Sequence, residues 1–336
     1  MGASSGLDAK QAHILNRWKL GRPLVSCRFD PAGRFAFCGA QDSTVRRVNV
    51  ADGKTTEFTG GHDSWVFSMA VAPDGKTAFS GGGDGRIATW EAGSDRPKLL
   101  RRIEAHHGWI RALAISSDGK VLASGGNDKM VRLWDAATGR PIRDLAGHAG
   151  HVYSVEFHPD GRGVLSGDLL GDVRHWEVAT GKSLASFDAT ALHTYDRGQQ
   201  VDFGAVRGLA ISADGALIAA GGLHKATNPL GAVHEPLVLV FDAKTRKLAR
   251  TLLADGITSG VIWRLRFLAD GSLVGVSGAN SGGHLLFWKT GADKDYHRLT
   301  LPGTARDMDL HPDGLRVATA QADGSLPIIR LAADKG

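Results

Sequence analysis

The sequence predicts an all-β fold built from seven like units, each of four short antiparallel strands, and three observations carry that prediction. A four-residue turn recurs as DPAG, APDG, SSDG, HPDG, SADG, LADG and HPDG, ending at Gly33, Gly75, Gly119, Gly161, Gly215, Gly271 and Gly314. These turns lie 42, 44, 42, 54, 56 and 43 residues apart, so the basic period is that of a four-stranded blade in a radial repeat. Within one unit the chain reads VYSVEF, HPDG, GVLSG, a polar turn, VRHWEV, ATGK and SLASF. Short runs rich in Val, Leu, Ile and Phe, punctuated by Gly, Asp and Asn, favour hairpins over helices.

Composition agrees with a large packed domain. The chain has 336 residues, 42% hydrophobic and 22% charged, enough to bury an extensive core. No run of about 18 apolar residues occurs, and the start, MGASSGLDAKQAHILNRWKL, has no apolar core behind a basic end, so neither a membrane span nor a signal peptide is expected. Gly6 at the sixth position does not fit a myristoylation signal. The two cysteines, Cys27 and Cys38, form no CxxC or metal spacing; they suit a fold without disulfides and a cytoplasmic setting, or a periplasmic or secreted one if a leader has been removed. A net charge of +5 is a mild basic excess, which implies a nucleic-acid partner only if concentrated on one face.

A longer stretch repeats inside the units. SGGGDGRIATWE (80–91), SGGNDKMVRLWD (124–135) and SGDLLGDVRHWE (166–177) share one Ser-to-Trp spacing of 10 residues, and in each a His lies 18 residues before the Ser. With Gly61-His62 and Gly147-His148, this pattern resembles the WD40 repeat family, and the resemblance covers essentially the whole chain. It implies a seven-bladed β-propeller in which a buried His, Ser, Asp and Trp are hydrogen-bonded as a chain within a blade. Those residues are His62, Ser80, Asp84 and Trp90, then His106, Ser124, Asp128 and Trp134, then His148, Ser166 and Trp176. Their implied role is blade stability, since a buried polar network is favourable when every member has a partner. The pattern departs at Leu170, where Asp is expected, at Val48 in place of Trp beside Asp42, and in the last unit, which has Thr319 and Asp323 but neither His nor Trp. Those blades are expected to lean on apolar packing. The last unit has three strands after Thr304, and the family closes its ring with an N-terminal strand, here HILNRWKL beside LPIIRL. Expected boundaries are an N-terminal tail at 1–12, one propeller at 13–332 and a C-terminal tail at 333–336. The near-consensus blades resemble those of bacterial members.

Function has to be argued from exposed positions. Nine residues before each turn glycine stand Leu24, Val66, Ile110, Val152, Val206, Ile262 and Ala305, mostly apolar and expected to point into the sheet packing. Their neighbours should point the other way. On the N-terminal side these are Pro23, Trp65, Trp109, His151, Ala205, Val261 and Thr304; on the C-terminal side they are Val25, Phe67, Arg111, Tyr153, Arg207, Trp263 and Arg306. The set is aromatic and basic and holds no acid. By family topology it rims the central channel, so Trp65, Phe67, Trp109, Arg111, His151, Tyr153, Arg207, Trp263 and Arg306 are the expected partner contacts. Trp, Tyr and Arg are enriched at binding hot spots, and Arg matches carboxylate or phosphate, so an acidic or phosphorylated protein segment is the expected partner.

The two long intervals place insertions before Val206 and between Ala220 and Phe241, on the same face by topology, as a lid or specificity wall. His193, His224, His234 and His284 lie in these loops and the blade-six turn without compact ligand spacing, so no metal or other cofactor is expected. No GxSxG or similar signature occurs, and the nearest acids to the rim are Asp196 and Asp202, which leaves a propeller enzyme or small-ligand protein as an alternative. A second alternative is single-stranded nucleic acid, bound through the arginines and tryptophans and marked by steep salt dependence. The reading that follows is a non-catalytic scaffold that binds a protein segment across the channel mouth, without a membrane and as a monomer outside a complex.

Overall fold

The computed structural model describes residues 6–96, 98–226, 234–279, 282–289 and 291–333, and its strands form seven four-stranded antiparallel sheets in a ring. Blade 3, for example, runs outward from the channel through Ile110–Ile115, Val121–Gly126, Val131–Asp135 and Pro141–Leu145. Blades 1, 2, 4, 5 and 6 begin with Leu24–Phe29, Val66–Val71, Val152–Phe157, Gly208–Ile211 and Val261–Phe267. Each first strand touches the first strands of both neighbouring blades, so seven of them wall the channel.

Blade 7 takes three strands, Ala305–Leu310, Arg316–Gln321 and Ser325–Arg330, from the C-terminal end and its outer strand, His13–Lys19, from the N-terminal end. His13 pairs with Arg330 and Lys19 with Ser325, and Arg17 and Lys19 both bond Asp323. Closure removes the open edge that a linear array of blades would present. Residues before this strand also pack: Ala9 is buried among blades 6 and 7, and the Asp8 amide donates to the Leu331 carbonyl.

The seven turn glycines all have φ between +68° and +80°, the left-handed region that a side chain disfavours, which is why Gly ends each of these turns. The core lies in the seams between blades. Seven apolar clusters join blade 1 to 2, 2 to 3 and so on to 7 with 1. Trp90 shows the pattern, meeting Phe58 of the preceding blade edge to face at 5.7 Å. Cys27 and Cys38 are free and buried, and burial pushes both thiols up. Among the described residues no helix is long and apolar enough to cross a membrane.

Candidate functional site: a blind cationic cavity at the channel mouth

The polar chains inside the blades hold the ring that frames the site. In blade 2, His62 Nε2 lies 2.7 Å from Ser80 Oγ, the Trp90 indole donates to the same oxygen at 2.8 Å, and His62 Nδ1 is 3.2 Å from Asp84. Burial pushes the Asp84 carboxyl up, but bonds from His62 and from the Asp63 and Arg86 amides outweigh it and hold the group at about 2. Blade 3 repeats this with His106, Ser124, Asp128 and Trp134, at 2.7 Å from His106 to Ser124 and 2.9 Å from Trp134. Arg132 adds a 2.6 Å pair with Asp128.

Blade 4 has His148 Nε2 at 2.6 Å and the Trp176 indole at 2.7 Å from Ser166 Oγ. Leu170 leaves the turn without an acid, yet apolar packing does not take its place. Asp168, at the end of the preceding strand, sits 3.3 Å from His148 Nδ1 and accepts the amides of Gly150, Leu170 and Asp172. Asp172 stands 3.8 Å from the same nitrogen, the one place among the described residues where a His and two acids come close. Blade 1 keeps Asp42 but spends it on Arg46 at 2.6 Å, with Val48 fully buried. Blade 7 links Thr319 to Gln321 and Ser325 to both Gln321 and Asp323.

At the entry ends of the first strands the channel opens into a cavity of about 320 Å³. It is lined by Val25, Phe67, Arg111, Tyr153, Arg207, Trp263 and Arg306, one from every blade, together with Trp65, Trp109, Arg264 and Asp307. The local cause is a β-bulge. In six blades the pairing slips across this one residue, between Leu24 and Ser26, Val66 and Ser68, Ile110 and Ala112, Val152 and Ser154, Ile262 and Arg264, and Ala305 and Asp307. The extra residue is unpaired and re-aimed. In blade 5 Arg207 precedes the strand and its amide donates to the Gly221 carbonyl. The preceding residues, Leu24 to Ala305, are all fully buried, as alternation demands.

The N-terminal neighbours behave less uniformly than alternation predicts. Trp65 and Trp109 line the cavity and are more than two-fifths exposed, whereas Ala205 and Val261 are buried. Ala205 has φ +103°, so its backbone leaves the extended path that the alternation assumed. His151 is half-buried outside the cavity lining.

The rings and guanidinium groups interleave. Phe67 stacks on Trp109 at 4.9 Å, and Arg111 lies over Trp109 at 4.4 Å and over Tyr153 at 4.6 Å. Arg207 lies over the Tyr153 ring at 4.9 Å and over Trp263 at 4.6 Å, a cation–π ladder. Neutral groups hold the arginines: Arg111 Nε donates to Asn127 at 2.9 Å, Arg207 Nε to the Gly204 carbonyl at 3.1 Å, and Arg306 has no bond among the described residues. Burial lowers the pKa of all three, and repulsion from Arg111 lowers that of Arg207 further. No carboxylate among the described residues pairs with them.

The lining does contain one acid, contrary to the expectation drawn from the rim positions, and it forms the floor. Asp307 is buried and accepts from Arg264 at 2.8 Å and from Arg28 at 2.7 Å. Burial raises its carboxyl, but the two arginines outweigh burial and hold it below the usual range. Below it Arg266 meets Glu156 at 3.4 Å and Asp309 at 3.3 Å, around a second cavity of about 190 Å³. Three arginines face three acids in this layer. The cluster is neutral within itself and closes the channel, so the upper cavity is blind. Asp307 and Arg264 were missed because the rim was counted one residue short of them. A signal existed, since the equivalent positions in the other blades are Ser26, Ser68, Ala112, Ser154 and Gly208, all small.

The first insertion forms a 3-10 turn, Thr190–Leu192, and a hairpin of His193–Asp196 with Val201–Gly204. Leu192 is buried in the seam of blades 4 and 5, and the hairpin touches Leu217–His224 of blade 5. The second lengthens that blade, with Leu217–His224 paired to Glu235–Asp242 and residues 227–233 outside the described residues. His193 pairs with Asp202 at 2.7 Å and His224 with Glu235 at 3.2 Å, while His234 Nδ1 bonds the Gly260 backbone. The loop histidines, His284 included, therefore do not converge on one another.

Comparison with known proteins bears on the repeats. The family model described as WD domain, G-beta repeat, matches residues 53–91, 97–135 and 139–177. Each match takes the outer strand of one blade and the three inner strands of the next, the offset that also lets an N-terminal strand complete blade 7. None of the curated proteins matches the chain.

Proposed function

The chain belongs to the WD40-repeat family, whose propellers are generally protein-interaction scaffolds and typically not enzymes, and from that premise we propose that it captures an acidic or phosphorylated protein segment at the channel mouth. One observation carries the reading: Arg111, Arg207 and Arg306 lie among aromatic rings in a blind cavity with no acid to neutralise them. Uncompensated guanidinium groups drawn out of water are costly unless an anion joins them. Trp65, Phe67, Trp109, Tyr153 and Trp263 add apolar surface around that charge, the composition of a binding hot spot. The ion-paired floor favours a side chain entering from one end over a nucleic-acid strand threaded through the ring.

The test is a titration of acidic peptides, and of the same peptides with each acid changed to amide, against the wild type and an Arg111→Ala, Arg207→Ala, Trp263→Ala variant whose fold is checked by circular dichroism. Binding of the acidic set alone, lost in the variant, supports the reading. Equal binding by the folded variant overturns it.

A further inference from the structure

The three mouth arginines come from blades 3, 5 and 7. Around a ring of seven those positions are two, two and three blades apart, which is as close to three-fold spacing as seven blades allow. Each side chain leaves its strand at the same level, the bulged residue in blades 3 and 7 and the residue just before the strand in blade 5. Each lines the same cavity, and Tyr153 separates Arg111 from Arg207.

Nothing on the walls or floor supplies a counter-charge. Asp307 is taken by Arg28 and Arg264, and the layer beneath is balanced by Glu156 and Asp309. A carboxylate would be a poor complement to this arrangement, because it is planar, has two oxygens and carries one charge. A phosphate monoester has three terminal oxygens around one axis and about −1.5 to −2 charges at neutral pH, and guanidinium groups bond such oxygens in a planar fork. A cavity of about 320 Å³ admits such a headgroup with its first linking atoms. Trp65 and Trp109, exposed at the rim above it, are left to pack against residues on either side.

We infer that the cavity is a receptor for the phosphorylated side chain of a bound protein segment, with Arg111, Arg207 and Arg306 each engaging the phosphate from its own side of the channel. The inference rests on the reading of the mouth as a docking site and adds the chemistry of the group that docks. Bridging by three arginines makes their contributions comparable. It also gives them a functional role, since each is a partly desolvated charge that no carboxylate among the described residues pairs in the free protein.

The experiment uses the full chain and three probes: a peptide library with a fixed central phosphoserine or phosphotyrosine, the same library with Glu at that position, and phenyl phosphate. Binding is read by tryptophan fluorescence and calorimetry. The expected result is phosphopeptide affinity about tenfold or more above that of the Glu library, lowered by about tenfold or more in each of Arg111→Ala, Arg207→Ala and Arg306→Ala. The three free variants should melt no lower than the wild type, a readout that a merely structural role would move downward. A Glu library that binds as well as the phosphorylated one overturns the inference while leaving the docking site standing, provided the variants still lose it. An Arg306→Ala variant with unchanged affinity also overturns it, by removing the third side of the cradle. Phenyl phosphate matching the best phosphopeptide overturns the protein-segment occupant in favour of a small phosphate ester. Failure of every probe to bind removes both the inference and the docking site beneath it.

Discussion

Replacing Ser124 by Ala removes one oxygen and strands two buried polar groups. Ser124 is fully buried, His106 Nε2 lies 2.7 Å from its Oγ, and the Trp134 indole donates to it at 2.9 Å. Each polar group left without a partner costs about 1–3 kcal/mol, so the substitution should cost about 2–5 kcal/mol once the hydroxyl's own desolvation is returned. Unfolding entropy of about 2.1 cal/mol/K per residue, over 336 residues, is about 0.7 kcal/mol/K if the ring melts as one unit. Tm should therefore fall by about 3–7 °C. Ser68→Ala is the internal control, because the Ser68 hydroxyl is equally buried and has no hydrogen-bond partner among the described residues. Removing it should change stability by less than about 1 kcal/mol, or raise it. Urea unfolding followed by circular dichroism, with thermal melts beside it, measures both. If Ser124→Ala loses no more than Ser68→Ala, the polar chain does not stabilise the blade and the account of it is wrong.

The remaining predictions concern charge. The Asp84 carboxyl titrates at about 2 in the folded chain against an ordinary 3.8, so its contribution is complete above about pH 4 and is lost as pH falls toward 2. The urea midpoint should drop across that window, and Asp84→Asn should be less stable at pH 7 yet show a shallower drop; an unchanged slope refutes the assignment. Asp307→Asn leaves Arg28 and Arg264 facing one another without their carboxylate, and should cost about 3–5 kcal/mol in urea unfolding. A loss below about 1 kcal/mol would mean the floor is no ion-paired plug.

Much of the architecture was legible because it repeats. Seven turns at one period, with a left-handed glycine ending each, determine the blade count, and the 18- and 10-residue spacings bring His, Ser and Trp of three blades together. Nine of the eleven mouth residues were also reachable by counting back from the glycines. Three features were not. Backbone departures such as the bulges and the positive φ of Ala205 leave no residue signature, so the N-terminal neighbours were given a uniform outward orientation that Ala205 and Val261 do not have. Asp168 brings a carboxylate within 3.3 Å of His148 Nδ1 from a neighbouring position, without hydrogen-bonding it, and a fixed spacing cannot find an acid displaced along the chain. The floor depends on contacts across the channel, such as Arg28 with Asp307, which are nearly the whole chain apart in sequence.

The bulge also explains how one ring can be both rigid and specialised. On either side of it the first strands keep one kind of residue: apolar and fully buried before it, from Leu24 to Ile262, and small after it in blades 1 to 5, from Ser26 to Gly208. In blades 1 to 4 the bulged residue is not part of a seam core, so it is free to be Val25, Phe67, Arg111 or Tyr153 without disturbing the packing, whereas Trp263 of blade 6 also packs against the seam of blades 6 and 7. Apart from Trp263, the mouth therefore carries its chemistry on positions that the seams do not use. Three unpaired guanidinium groups are unfavourable there, and extensive apolar burial in the seams can offset them, because each buried side chain contributes about 1.5–3 kcal/mol. A domain that tolerates such a charge excess at one opening, while pairing the charges in the layer below, presents that excess where a partner can reach it.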